Sequence, residues 1–247
     1  MTLSRVAACG SVTGADHRRL ERDGQDGAAL VHTSYVTAAI VTDGCSSGRH
    51  AEVGARLGAS WLSALVEERF RNVKTETDAE AAAHRVTRAL FKRLRVLARS
   101  LDSAAGASAR VEELLLFTFL VAAVTDDVAI VFGVGDGTTI VGKRHTVIDP
   151  GPRNAPPYVA YGLFDGSAPP ARIHFVGPAR ETIAVATDGI EGLSDDEIAA
   201  IVGDVRYAKN PSLLRKRLVV HAREGRFHDD ASLGVVQVYA SENGGAS

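Results

Sequence analysis

Runs of aliphatic and β-branched residues, separated by polar turns, divide the chain into strand-like and helix-like stretches. VTAAIVT (36–42), LLFTFLVAAV (115–124), VAIVFGV (128–134), TTIVG (138–142), IAVAT (183–187) and LGVVQVY (233–239) have the length and composition of buried strands. Two longer stretches instead repeat at helical spacing. Over 50–71, Val53, Leu57, Trp61 and Leu65 share a face; over 77–102, Ala83, Val86, Leu90, Leu94 and Leu97 do so, and the Arg and Lys residues around them read as a solvated exterior. Shorter helices are expected at 194–202, where Ser194 precedes Asp195, Asp196 and Glu197 like a cap, and at 211–223, with Pro211 in the first turn. Small-residue segments at 102–110 and 149–157 read as loops, and the tail 241–247 (SENGGAS) as flexible, leaving 1–240 as one domain. Strands outnumber helices and several are hairpin-spaced. An α+β fold with helices packed on antiparallel sheets fits this order better than alternating βαβ units.

Composition narrows the function classes. At 247 residues, 45% hydrophobic and 23% charged, the chain has the balance of a globular enzyme. A formal charge of −2 gives no reason to expect nucleic acid or a membrane as partner. No run approaches the ~18 apolar residues of a membrane span, and the start has no signal-peptide stretch, so a cytoplasmic location is expected. Cys9 and Cys45 form no CxxC pair, which suits a reduced setting. Neither has an arginine six positions on, where Ala15 and Ala51 stand, so a cysteine phosphatase loop is absent.

Aspartates recur where apolar strands end. Asp43 follows VTAAIVT, Asp136 follows VAIVFGVG and Asp188 follows IAVAT, and each is followed by glycine. Asp229 and Asp230 precede the last strand, and Asp26 lies in GQDGAAL before the first ones. A single Asp-Gly is an ordinary turn. Several carboxylates aimed by rigid strands form a like-charge cluster that folding opposes, and hard divalent cations such as Mg²⁺ or Mn²⁺ resolve that conflict.

These residues also carry a family resemblance. TDGCSSGRHAEVGARLGA (42–59) resembles the metal-binding segment of the metal-dependent, type 2C serine/threonine protein phosphatases, in a bacterial branch with DGCSS at that place. GADHRRLERDGQDGAAL (14–30), GVGDG (133–137), NAPPYVAYGLFD (154–165), ATDGIEGL (186–193) and HDDASLGVV (228–236) resemble further segments of the same branch, in the same order. The resemblance implies an antiparallel β-sandwich flanked by helices on both faces, in four layers α-β-β-α. It implies metal-dependent hydrolysis of phosphoserine and phosphothreonine on proteins, with a phosphoprotein substrate and a cognate serine/threonine kinase as partners. Two cations, Mn²⁺ or Mg²⁺, and a weaker third would be held as follows. Asp43 would bridge two metals, helped by the Gly44 carbonyl. Asp188 and Asp229 would ligate one of them, Asp26 would position metal-bound water, and Asp136 would hold the third with Asp188. Asp230 stands where many relatives have Asn, as structural support. A phosphate-binding arginine is expected in the opening segment, from Arg22, Arg18 or Arg19. Cys45 occupies the place of a histidine that serves many relatives as acid, which turns attention to His17 and His50.

Two other readings use the same residues. Gly44-Cys45-Ser46-Ser47-Gly48 matches G-x-S-x-G between a strand and a helix, so Ser46 could be a hydrolase nucleophile with Asp188 and His221 or His228. That reading leaves Asp26, Asp43, Asp136 and Asp229 unexplained. A phosphatase-like binding module without turnover, regulating a kinase pathway, is the non-enzymatic alternative.

Overall fold

The computed structural model describes residues 3–101, 107–152 and 155–240. The expected tail 241–247 lies outside these, as do parts of the loops expected at 102–110 and 149–157. Two five-stranded antiparallel sheets carry the fold. The first runs β1 (Leu3–Val12), β10 (Ala231–Ala240), β9 (Ile183–Ala186), β6 (Gly137–Val141) and β7 (Arg144–Ile148). The second runs β2 (Gly27–His32), β3 (Thr37–Gly44), β4 (Phe117–Val124), β5 (Val128–Val134) and β8 (Arg172–Pro178).

Three apolar cores order the layers. Ala39, Val41, Leu120, Ala122 and Val131 from the second sheet meet Ile183, Val185 and Val236 from the first. The opposite face of the second sheet (Ile40, Phe119, Val121, Phe132) packs under α2 (Ala51–Arg69), α3 (Glu76–Ser100) and α4 (Ala107–Leu114). The outer face of the first sheet packs under α6 (Asp195–Val202) and α7 (Leu213–Arg223). This is the expected α+β sandwich with helices on both faces. Because both faces of the central strands are covered, β3, β4 and β5 are buried at nearly every position, and their sequences read as continuous apolar runs rather than alternating ones.

The elements depart from the expectations in three places. In α2 the buried face is Gly54, Ala55, Gly58, Ala59 and Leu62, while Val53 is 41% exposed. Small residues bring the helix backbone close to its neighbours: a Cβ on Gly58 would stand 2.4 Å from the Phe117 ring. Residues 107–114 form α4, not loop, and α7 starts at Leu213 with Pro211 before its N-cap, Ser212. The Ser194 cap is as expected: its hydroxyl accepts from the Glu197 amide (3.3 Å) and the Glu197 carboxylate accepts from the Ser194 amide (2.8 Å).

Candidate metal centre

The antiparallel registers bring the aspartates to one end of the sandwich. Gly27 pairs with Thr42, so Asp26 enters β2 beside the point where β3 ends at Asp43. Asp43 itself pairs with Thr118 at the start of β4. The chain crosses between the sheets at this same end through Gly135-Asp136-Gly137, with both glycines at positive φ (109° and 117°). A Cβ on Gly135 would meet Thr118 at 2.3 Å and one on Gly137 the Ala186 carbonyl oxygen at 2.5 Å, so this turn needs glycine on both sides of the aspartate. Asp188 follows β9, and Asp229 and Asp230 lead into β10, whose Leu233 pairs with Ala186.

Asp26, Asp43, Asp136, Asp188, Asp229 and Asp230 thus converge. Asp43, Asp136, Asp188, Asp229 and Asp230 line a small cleft of about 70 Å³ to which neither lysine nor arginine contributes among the described residues. Burial, then the charge of Asp230, pushes the Asp26 carboxyl up to about 8. Asp43 is raised well above the carboxylate range by burial and by Asp26, Asp188 and Asp136. Asp188 is raised to about 6 by burial and then by Asp136 and Asp229. Burial also raises Asp136, whose Oδ1 is buried without a hydrogen-bond partner among the described residues. A cluster of oxygen donors with uncompensated charge and an orphaned carboxylate oxygen fits hard divalent cations.

Hydrogen bonds fix the surrounding frame. Thr187 Oγ1 donates to Asp26 Oδ2 (2.8 Å), tying the start of β2 to the opposite sheet. Asp230 is the deepest anchor: its Oδ1 accepts from the Gly14 amide (2.7 Å), its Oδ2 accepts from the Gln25 amide, and His17 Nδ1 lies 2.8 Å from Oδ2. Gln25 donates through Nε2 to the Gly48 carbonyl (2.9 Å), bracing the Cys45–Gly48 loop. Gln25, Thr118 and Tyr158 also line the cleft; Gln25 and Tyr158 lie in segments that carry the resemblance, and no local pattern marks Thr118. Gly189 is pressed onto this frame, since a Cβ there would stand 1.8 Å from the Asp230 carbonyl oxygen. Gly189→Ala is therefore expected to lower the unfolding free energy by about 2–3 kcal/mol in urea titrations.

The remaining expected residues lie elsewhere. Arg18 donates to the Ala222 carbonyl (2.8 Å), Arg19 pairs with Asp16 (3.2 Å), and Arg22 is exposed; none lines the cleft. His50 sits against Glu52 outside the cleft. Cys45 is half-buried on the cleft wall, its Sγ 3.0 Å from Ser47 Oγ. Burial raises this thiol, but hydrogen bonds from Ser47, Tyr158 and the Ser47 and Gly48 backbone outweigh that and lower it. Ser46 is exposed and bonds no histidine among the described residues, while His221 packs on Phe227 (ring centroids 6.3 Å apart). The antiparallel sandwich also lacks the parallel sheet on which a nucleophile elbow is built.

A family model for protein phosphatase 2C matches residues 13–218. The chain belongs to the protein phosphatase 2C family. No curated protein sequence matches it. Solved members share the fold at low identity. A bacterial serine phosphatase superposes with a TM-score of 0.67 at 14% identity, covering 96% of this chain and 98% of that one. The serine/threonine phosphatase Stp1 from Staphylococcus aureus gives 0.64 at 14% identity, with 95% of each chain covered. The catalytic domain of the serine/threonine protein phosphatase PstP, solved with two manganese ions, gives 0.58 at 14% identity, covering 97% of this chain and all of that one.

Proposed function

We propose that the protein hydrolyses phosphoserine and phosphothreonine monoesters on proteins at a centre of two divalent cations, Mn²⁺ or Mg²⁺. The observation that carries this reading is the convergence of five aspartates on a cleft that no described lysine or arginine lines, with Asp26 buried beside them. Asp43, the Gly44 carbonyl, Asp188 and Asp229 would hold the two cations, with Asp26 orienting their water and Asp136 and Asp188 offering a weaker third position. When bound, the cations supply an activated water and neutralise charge on the phosphoryl group.

The chain's own residues do the rest. Asp43 and Asp188 emerge from buried strands, so their oxygens are aimed before substrate arrives. The Thr187 bond holds Asp26 in one rotamer. The acidic cleft repels a phosphate dianion until its charge is offset, which makes turnover strictly dependent on cations. Arg22 is the one arginine of its segment whose guanidinium makes no hydrogen bond or ion pair among the described residues, leaving its planar fork to receive phosphoryl oxygens. The implied opposing partner is a serine/threonine kinase acting on the same phosphoprotein, and the implied location is cytoplasmic; no described helix is long and apolar enough to cross a membrane.

Hydrolysis of an aryl phosphate and of a phosphothreonine peptide is expected with Mn²⁺ or Mg²⁺, to vanish in excess chelator, and to survive Ser46→Ala largely intact. Activity that persists in chelator and is lost in Ser46→Ala would sink the proposal in favour of a serine hydrolase. Cation binding without turnover of either substrate would overturn it in favour of a binding module.

A further inference from the structure

The exterior of α3 carries charge that its own packing does not call for. Residues 81–101 contain six Arg or Lys and no Asp or Glu, in a chain whose formal charge is −2. The five exposed ones, Arg85, Arg88, Lys92, Arg95 and Arg99, are spaced three, four, three and four residues apart. On an α-helix that spacing forms a single stripe, about 21 Å long at 1.5 Å per residue. Like charges at these spacings oppose the helix that bears them. Asp78 attracts Arg85 at one end of the stripe, but none of the five takes part in an ion pair among the described residues; Arg95 leans over the Phe91 ring, 5.8 Å from its centroid.

Two features connect the stripe with the candidate metal centre. A cavity of about 550 Å³ opens at its N-terminal end, walled by His84, Arg85 and Arg88 on one side and by Ala168, Pro169 and Pro170 on the other. The segment holding those prolines begins at the cleft, where Pro156 and Tyr158 form part of the wall, and it touches α3 on the way: a Cβ on Gly162 would stand 3.0 Å from Phe91 Cε2. Pro170 stands twelve positions after Tyr158. Cleft and cavity therefore lie within about 40 Å, the reach of twelve extended residues.

We propose that this face of α3 docks an acidic segment of the phosphoprotein substrate, within about a dozen residues of the phosphorylated side chain; the inference rests on the phosphatase reading above. Charge complementarity selects the occupant. A run of Asp or Glu cancels the stripe, and an extended chain fits both the cavity and the distance to the cleft.

The test uses the full chain and two readouts. Binding of fluorescent, unphosphorylated peptides is measured by anisotropy, one rich in Asp and Glu and one rich in Ser and Gly. Turnover is measured on phosphothreonine peptides carrying the same two tails, and on an aryl phosphate. The acidic tail is expected to improve both binding and kcat/KM by about tenfold at low salt. R85E/R88E/K92E is expected to abolish that gain without changing aryl phosphate turnover, and R85Q/R88Q/K92Q to give a smaller loss of the same sign. Equal binding of the two tails would overturn the proposal and leave the stripe a solvated surface. Displacement of the acidic peptide by an oligonucleotide or anionic vesicles at lower concentration would overturn it in favour of a general polyanion surface. Because anisotropy needs no turnover, acidic-tail binding by a protein inert toward aryl phosphate would retain the docking face and reject the phosphatase reading alone.

Discussion

Asp43→Asn is expected to lower kcat/KM toward an aryl phosphate by roughly three orders of magnitude, about 4 kcal/mol of barrier at 1.36 kcal/mol per decade. The same substitution is expected to raise the melting temperature of the cation-free protein. Both effects have one cause. Asp43 is half-buried near the end of β3 with Asp26, Asp136 and Asp188 around it, so its charged form is disfavoured in the fold. Asparagine keeps the shape and hydrogen-bonding capacity while removing the charge, and with it both the repulsion and the central ligand. The rise in melting temperature that Mn²⁺ gives the wild type should shrink in the variant, since a ligand that binds only the folded state stabilises in proportion to its affinity. A substitution that left activity within tenfold, or that destabilised the cation-free protein, would show that Asp43 is a structural residue and not the hub of the cluster. Thermal melts with and without Mn²⁺, run beside the activity assay, separate these outcomes.

That Asp43, Asp136 and Asp188 belong together could be suspected from the chain alone, because each stands where a buried apolar run gives way to Asp-Gly. The strands that carry them were equally legible: β3, β4, β5 and β9 are apolar nearly throughout because helices and the partner sheet cover both faces. Strands at the sheet margins were not. β1 is diluted by Ser, Cys and Gly, β7 is exposed on most of its residues, and β8 ends in proline, so none shows a periodic signal. In α2 the large residues Val53, Leu57, Trp61 and Leu65 point to one face; Leu65 is buried, but Val53 is exposed and the small residues Gly54, Ala55, Gly58 and Ala59 bring the helix onto the sheet. Asp230 shows the deeper limit. Its partners Gly14, His17 and Gln25 lie more than 200 residues away in sequence, so nothing near position 230 announces them. Arg18 shows the same limit: whether it faces a phosphate or the end of α7 is decided by a carbonyl at Ala222.

The stability of the cation-free protein should fall as pH rises from 6.5 to 8. Burial and neighbouring charge raise Asp26 to about 8 and Asp43 well above its ordinary value, so the folded state keeps protons that the unfolded chain, with carboxyls near 3.8, has already released. A state that holds more protons is destabilised as pH rises, and the slope persists until the folded-state values are passed. Asp188, raised to about 6, adds to the fall mainly below this window. His174 works in the opposite sense: burial and then Arg172 lower it to about 4, so its contribution increases with pH between about 4 and 6.5 and is complete above that. Asp204, held far below the usual carboxylate range by Arg206 and Arg217, loses its contribution only in more acidic solution. Above 6.5 the buried aspartates set the fall, where each can contribute up to about 1.4 kcal/mol per pH unit, and Cys45, whose thiol is lowered by its hydrogen bonds, opposes them. Asp26→Asn should flatten the slope in chelator, and saturating Mn²⁺ or Mg²⁺ should reverse it, because cations compete with protons for the same oxygens. A melting temperature in chelator that is level or rising between pH 6.5 and 8 would show that the carboxylates are ionised and compensated without cations. The acidic cluster would then be a structural network rather than a metal centre.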